Sequence, residues 1–185
     1  MPTAEGNHGV RHGFAVWLTG LPASGKSTIA EALHRELAGQ GINAAVLESD
    51  AVRRILTPHP DYGDAERDAF YEAVARIGRL LTERGVPVIF DATANRRAYR
   101  DGARRRISRF LEVHVDTPLP ACEARDPKGI YRRAREGSAS NVPGIQSAYE
   151  PPLQPDLVVR GDIEKPADAA WRIVSLLVEK GYLEG

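Results

Sequence analysis

The chain has 185 residues, 42% of them hydrophobic, and 25 lysines and arginines balance 25 aspartates and glutamates. That length suits one domain with a proper buried core, and zero net charge removes the global field that would recruit nucleic acid or an acidic membrane. Cys122 is the only cysteine, which excludes an internal disulfide and fits a reducing cytoplasm.

The first 13 residues, MPTAEGNHGVRHG, lack the apolar core of a secretion signal and read as a flexible polar leader. His8 and His12 within it are only a weak hint of metal binding. Residues 14–185 read as a single domain, and no run in them approaches the length of a membrane span. The apolar run Phe14–Thr19 predicts a strand. It leads straight into GLPASGKS at 20–27, a complete G-x-x-x-x-G-K-[ST] phosphate loop, with a helix expected to start near Ser27. Glycine permits the backbone twists that turn successive N–H groups toward phosphate oxygens. The helix adds the positive end of its dipole at the same point. Gly20, Leu21, Pro22 and Ala23 form the first half of this cradle, and Ser24 and Gly25 the second. Lys26 is positioned to reach the β/γ-phosphates, the Ser27 hydroxyl to ligate Mg²⁺, and Thr28 to close the first turn. The chain therefore reads as a binder of a nucleoside triphosphate.

A second strand is expected at Ala44–Glu48, followed by Asp50, with Arg53 and Arg54 about one helical turn on. A carboxylate there suits a base facing an acceptor hydroxyl, with an arginine gripping an anionic part of the same acceptor. Asp50 also suits the cap of a helix from Ala51, and the two roles are compatible. Phe70, Val74, Ile77 and Leu81 recur at helical spacing before a third strand at Val86–Asp91, apolar almost throughout, as for a strand covered on both faces. Asp91 reads either as a carboxylate that holds Mg²⁺ or as the cap of the arginine-rich helix after it. In that helix Arg96, Arg97, Arg100, Arg104, Arg105, Arg106 and Arg109 are expected to form mostly a solvated face, with one or two free to meet phosphates. A fourth strand, Phe110–Asp116, ends at a turn before Thr117-Pro118. Cys122 reads as structural. Gly137 to Pro155 is rich in Ser, Pro, Gly and Asn and predicts a long loop of the kind that serves as a lid or binding loop. Leu157–Arg160 is the fifth strand, and Trp171, Val174, Leu177 and Val178 mark a last helix. Strands alternating with helices mean an α/β domain with a mainly parallel sheet, whose ligands bind beyond the carboxyl ends of the strands.

Three stretches, WLTGLPASGKST, ACEARDPKGIYRRAREG and YEPPLQPDL, closely resemble the adenylyl-sulfate kinase (APS kinase) family from about Val16 to Val159. The resemblance implies a three-layer P-loop kinase fold with a five-stranded, mainly parallel sheet and a lid at about 125–150. It implies ATP and Mg²⁺ as cofactors and transfer of phosphate to the ribose 3′-hydroxyl of adenosine 5′-phosphosulfate, giving PAPS for sulfate assimilation. ATP and a small-molecule acceptor are then the partners, without nucleic acid or membrane, and a homodimer is an allowed assembly. Position by position, Asp50 matches the second acid of the family's D-G-D motif, the expected base. Arg53 matches an arginine that contacts the sulfonucleotide, and Arg67 falls where another substrate-side arginine is expected. Arg125, Asp126, Lys128 and Gly129 match R-D-x-K-G, with Arg125 toward ATP and Lys128 and Gly129 toward the acceptor. Ile145 lies in PGI, parallel to the family's T-G-I. Lys128, Arg132, Arg133 and Arg135 also make that segment densely cationic, so closing it would expel water and add positive charge around the phosphates.

The acceptor half departs from the family pattern. Glu48-Ser49-Asp50-Ala51 stands where the family has D-G-D-N, Ala69-Phe70-Tyr71-Glu72-Ala73 where it has E-N-I-R-R, and Asp91 to Arg96 where it has I-S-P. The FDATANR string there looks more like polynucleotide-kinase-like and gluconate-kinase-like groups. Two rival readings follow: the same chemistry on another small hydroxyl acceptor, and a nucleotide-binding regulator, against which Lys26, Ser27 and Asp50 argue. Phe70 and Tyr62 are the candidate stacking faces for an acceptor adenine.

Overall fold

A computed structural model describes residues 13–184; the leader with His8 and His12, apart from Gly13, lies outside the described residues. Five strands form one sheet in the order β2-β3-β1-β4-β5, and every neighbouring pair is parallel. They are β1 (Ala15–Thr19), β2 (Ala45–Glu48), β3 (Val88–Asp91), β4 (Phe110–Asp116) and β5 (Leu157–Arg160), each within two residues of its sequence-predicted bounds.

The central strand shows how the layers arise. Side chains alternate across a strand, so Val16 and Leu18 of β1 enter one buried cluster and Ala15 and Trp17 the other. The first cluster is covered by α1 (Lys26–Gly39) and α7 (Pro166–Glu179), the second by α3 (Asp64–Glu83) and α4 (Arg97–Arg106). Between them lie the short α2 (Ser49–Leu56), α5 (Leu119–Arg125) and α6 (Ile130–Arg135). Trp17 stacks on Phe90 with ring centroids 4.4 Å apart. Gly78 lets α3 lie against that pair, because a Cβ there would sit 2.1 Å from Phe90 Cζ.

Two expectations are corrected. The last helix forms, but its buried face is Ala169, Ala170, Ile173, Val174 and Leu177, while Trp171 is 64% exposed. The arginine run is not a solvated face: Arg100 is 1% exposed and pairs with Glu112 at 2.6 Å. Arg96 pairs with Asp64, Arg104 with Asp156 and Arg106 with Glu72, at 2.6, 2.7 and 2.8 Å. Carboxylates distant in sequence hold Arg96, Arg100, Arg104 and Arg106, and of the arginines in 96–106 only Arg105 is exposed.

Candidate active site

The phosphate loop leaves β1 at Gly20 and enters α1 through Gly25, whose left-handed backbone (φ 105°) serves as the helix N-cap. That conformation favours glycine, and it lets the first turn of α1 point its N–H groups into the cleft. Lys26 is buried, and its Nζ donates to the carbonyls of Gly20 at 3.1 Å and Leu21 at 2.8 Å. Burial lowers its pKa, and the nearby Asp91 and Asp50 carboxylates work against that shift. Ser27 and Thr28 stand exposed on the cleft wall. Gly161, after β5, closes on the loop from behind: a Cβ there would lie 2.2 Å from the Ser24 carbonyl oxygen.

A cleft of about 620 Å³ joins these groups to Asp50, Asp91, Thr93, Arg125, Asp126 and Lys128. Asp91 ends β3 and is 5% exposed, five residues before the Arg96 cap of α4, so it does not cap that helix. Asp50 sits in the first turn of α2, whose N-cap is Glu48, and it makes no capping bond. Instead its Oδ2 accepts from Lys128 Nζ at 2.6 Å, with Glu48 Oε1 on the same ammonium at 3.4 Å. That bond to Asp50 holds the Lys128 pKa above the usual lysine value.

Ser27 and Asp91 are hard oxygen donors beside a lysine and a ring of N–H groups. Such a set fits Mg²⁺ held partly by protein and partly by waters and phosphate oxygens. Among the described residues no group of three or more His, Cys, Asp or Glu converges as a closed metal cage.

The segment expected to act as a lid, about 125–150, follows α5 and opens with a turn at Asp126–Gly129 and α6. The Asp126 carboxylate accepts from the N–H groups of Ile130 at 2.7 Å and Arg132 at 3.0 Å, shaping the turn, and Gly129 is its left-handed residue. Tyr131 donates its hydroxyl to the Pro22 carbonyl at 2.9 Å, tying α6 to the phosphate loop. Cys122 is buried in the small cluster beneath, with Tyr131, Ala134 and Val142, in the structural place expected of it.

Arg53, Arg67, Gly129 and Ile145 do not line this cleft. Arg53 is buried, ion-paired with Glu66, and its guanidinium lies 3.8 Å from the Phe70 ring centroid and 5.3 Å from that of Tyr62. Phe70 therefore offers no open stacking face, whereas Tyr62 is 43% exposed. Arg67 donates to the Asn141 carbonyl at 2.6 Å, and the Asn141 amide donates to the Tyr62 carbonyl at 3.1 Å. Ile145 is 38% exposed in the turn around Val142–Ser147.

Sequence reasoning missed three contributors. Gly161 to Pro166 forms one wall of the cleft, but GDIEKP carries only an ordinary turn signal. Asn141 and Tyr131 act through long-range backbone contacts that no local pattern announces.

Residues 12–160 match the adenylylsulphate kinase family. The chain is 40% identical to the adenylyl-sulfate kinase of Gloeothece citriformis, over 94% of this chain and 98% of that one. It is 39% identical to that of Microcystis aeruginosa, over 94% and 96% of the two. Among solved structures, the Mycobacterium tuberculosis APS kinase in complex with AMPPNP and APS superposes with a TM-score of 0.85 at 35% identity, covering 90% of this chain and 98% of that one.

Proposed function

Because the chain belongs to the adenylyl-sulfate kinase family, we infer that it transfers the γ-phosphate of ATP to the 3′-hydroxyl of adenosine 5′-phosphosulfate, giving PAPS and ADP. The observation that carries this is the single cleft in which the phosphate loop and the Asp50–Lys128 pair face the same space.

Phosphoryl transfer demands positioning and charge neutralisation more than covalent chemistry from the protein. Backbone N–H groups at 20–28, Pro22 excepted, hold the ATP phosphates, and Lys26 leaves the Gly20 and Leu21 carbonyls to meet the β/γ oxygens. Mg²⁺, held by Ser27 and Asp91 when bound, supplies further neutralisation of the phosphates. Arg125, which lines the same cleft, serves ATP in this reading. Asp50 takes the proton of the acceptor hydroxyl as that oxygen bonds to the γ-phosphorus and the bond to the ADP oxygen breaks. For this Lys128 exchanges Asp50 for an anionic group of the acceptor, and Arg53 exchanges Glu66 in the same way. Arg67, Gly129 and Ile145 complete the acceptor side. Residues 125–150 act as the lid, in the single kinase domain that we assign to 14–185.

No helix among the described residues is long and apolar enough to cross a membrane, and the lone buried Cys122 supports a cytoplasmic setting. A homodimer is supported by Val46, Ile55 and Leu56, apolar and exposed beside the β2 edge; light scattering of the purified chain reads it. ADP release coupled to added adenosine phosphosulfate tests the activity. No release above background ATP hydrolysis, with folded protein and Mg²⁺, would sink the substrate assignment.

A further inference from the structure

The YEPP stretch helped to mark the family in sequence, yet neither Tyr149 nor Glu150 lines the cleft. Both are held on several sides. The Glu150 carboxylate accepts from the Arg97 N–H at 2.8 Å, its own N–H donates to the Asn95 carbonyl at 2.7 Å, and its carbonyl accepts from Arg100 Nη2 at 2.6 Å. Asn95 Nδ2 donates to the Ala148 carbonyl at 3.1 Å. The end of the long loop is thus pinned to the start of α4. The FDATANR segment, divergent from the family pattern, forms the socket.

The Tyr149 ring lies nearly parallel to His114 at 6.1 Å, with the Arg100 guanidinium 5.8 Å from its centroid. Its hydroxyl has a determined direction. Thr19 Oγ1 is 3.1 Å from the Tyr149 oxygen and 2.6 Å from the Thr93 carbonyl. A carbonyl only accepts, so the Thr19 proton goes to Thr93 and the phenol must donate to Thr19. One relay, Tyr149 to Thr19 to Thr93, therefore crosses three segments. Thr19 directly precedes Gly20, whose carbonyl holds Lys26. Thr93 is part of the cleft wall, two residues beyond Asp91. A tyrosine serving only to fill space would not need its hydroxyl there.

We propose that Tyr149 is a positioning residue of the kinase, its hydroxyl fixing, through Thr19, the spacing between the phosphate loop and the Asp91–Thr93 wall. It also anchors the return end of the lid to both. The proposal rests on reading 20–28 and Asp91 as the Mg²⁺–ATP site. Small displacements of groups that embrace a reacting phosphate are costly in rate, so the relay acts on turnover and on metal-assisted ATP binding.

Tyr149→Phe keeps the ring and removes only the hydroxyl. It is expected to lower kcat roughly tenfold, equivalent to about 1.4 kcal/mol, with KM for the acceptor unchanged and the thermal midpoint lowered by only a few degrees, as for one lost hydrogen bond. Calorimetric ATP affinities with Mg²⁺ and with chelator should show the metal-dependent gain reduced, while metal-free affinity holds. Thr19→Val should reproduce these losses, Thr19→Ser should restore the parent values, and the double variant of Tyr149→Phe and Thr19→Val should be no worse than Thr19→Val. Parent-like kcat and metal-dependent gain in Tyr149→Phe would overturn the proposal, as would losses that add in the double variant. Absence of acceptor-dependent turnover in the parent protein would count against the proposed activity, and the calorimetric comparison would still decide the relay.

Discussion

Asp50 and Lys128 face each other across the cleft at 2.6 Å, the proposed base paired with the proposed grip on the acceptor. Removing the carboxylate's charge while keeping its shape separates catalysis from binding. Asp50→Asn is expected to cut kcat by roughly 10²–10⁴-fold, the range of general-base contributions, with ATP affinity by calorimetry near the parent's. Turnover surviving in that variant would make Asp91 the candidate base. Lys128→Met should raise KM for the acceptor more than it lowers kcat, as steady-state kinetics would show. At this scale the sequence was legible in singling out Lys26, Ser27 and Asp50, which line one cleft. It was not legible where the partner decides the state. Arg53 stands out in sequence, but its ion pair with Glu66 and its seat on Phe70 depend on how α3 packs on α2.

Strands were the most legible elements: β1 and β3 are buried on both faces and read as apolar runs up to a polar last residue, and β4 shows itself by Phe110, Leu111, Val113 and Val115 although Glu112, His114 and Asp116 interrupt the run. Helix α4 was misread because its arginines are answered by Glu112 and Asp156, residues that only the sheet brings near. That pairing carries its own prediction. Arg100 and Glu112 are both buried, so Arg100→Ala removes the nearer of the two cations on Glu112, leaving Arg104 at 3.5 Å, and should cost about 3 kcal/mol in urea denaturation; a loss under 1 kcal/mol would refute the buried-pair account. His114 on β4 gives a pH dependence. Burial lowers its pKa from the ordinary 6.5, so below that pH the unfolded chain binds the proton more readily than the folded one. Stability should therefore fall as pH drops below about 6.5, through the lowered folded pKa. The part of that slope due to His114 should vanish in His114→Asn, measured as unfolding free energy against pH. On the other face of the sheet, the exposure of Trp171 in α7 shows that helical spacing locates a helix more surely than it orients one.

The phosphate loop, the turn from Arg125 to Lys128 and the stretch Gly161 to Pro166 surround one cleft, and in our proposal the relay through Tyr149 fixes the far end of the 125–150 segment. If that segment closes over bound nucleotide, the exposed Arg132, Arg133 and Arg135 become less accessible. Tryptic cleavage there should slow in the presence of a non-hydrolysable ATP analogue with adenosine phosphosulfate, and an unchanged cleavage rate would count against closure. The fold and the ATP side could be read from the chain because a phosphate loop and parallel strands impose local patterns. The acceptor side could not, because its cations are arranged by contacts among α2, α3 and the 141 turn. The central claim is accordingly about the acceptor. Purified protein with ATP, Mg²⁺ and adenosine 5′-phosphosulfate, assayed for ADP and for the phosphorylated nucleotide, tests it most directly. The account predicts equimolar ADP and a product phosphorylated on the 3′-hydroxyl; ADP release that ignores the sulfonucleotide would contradict it.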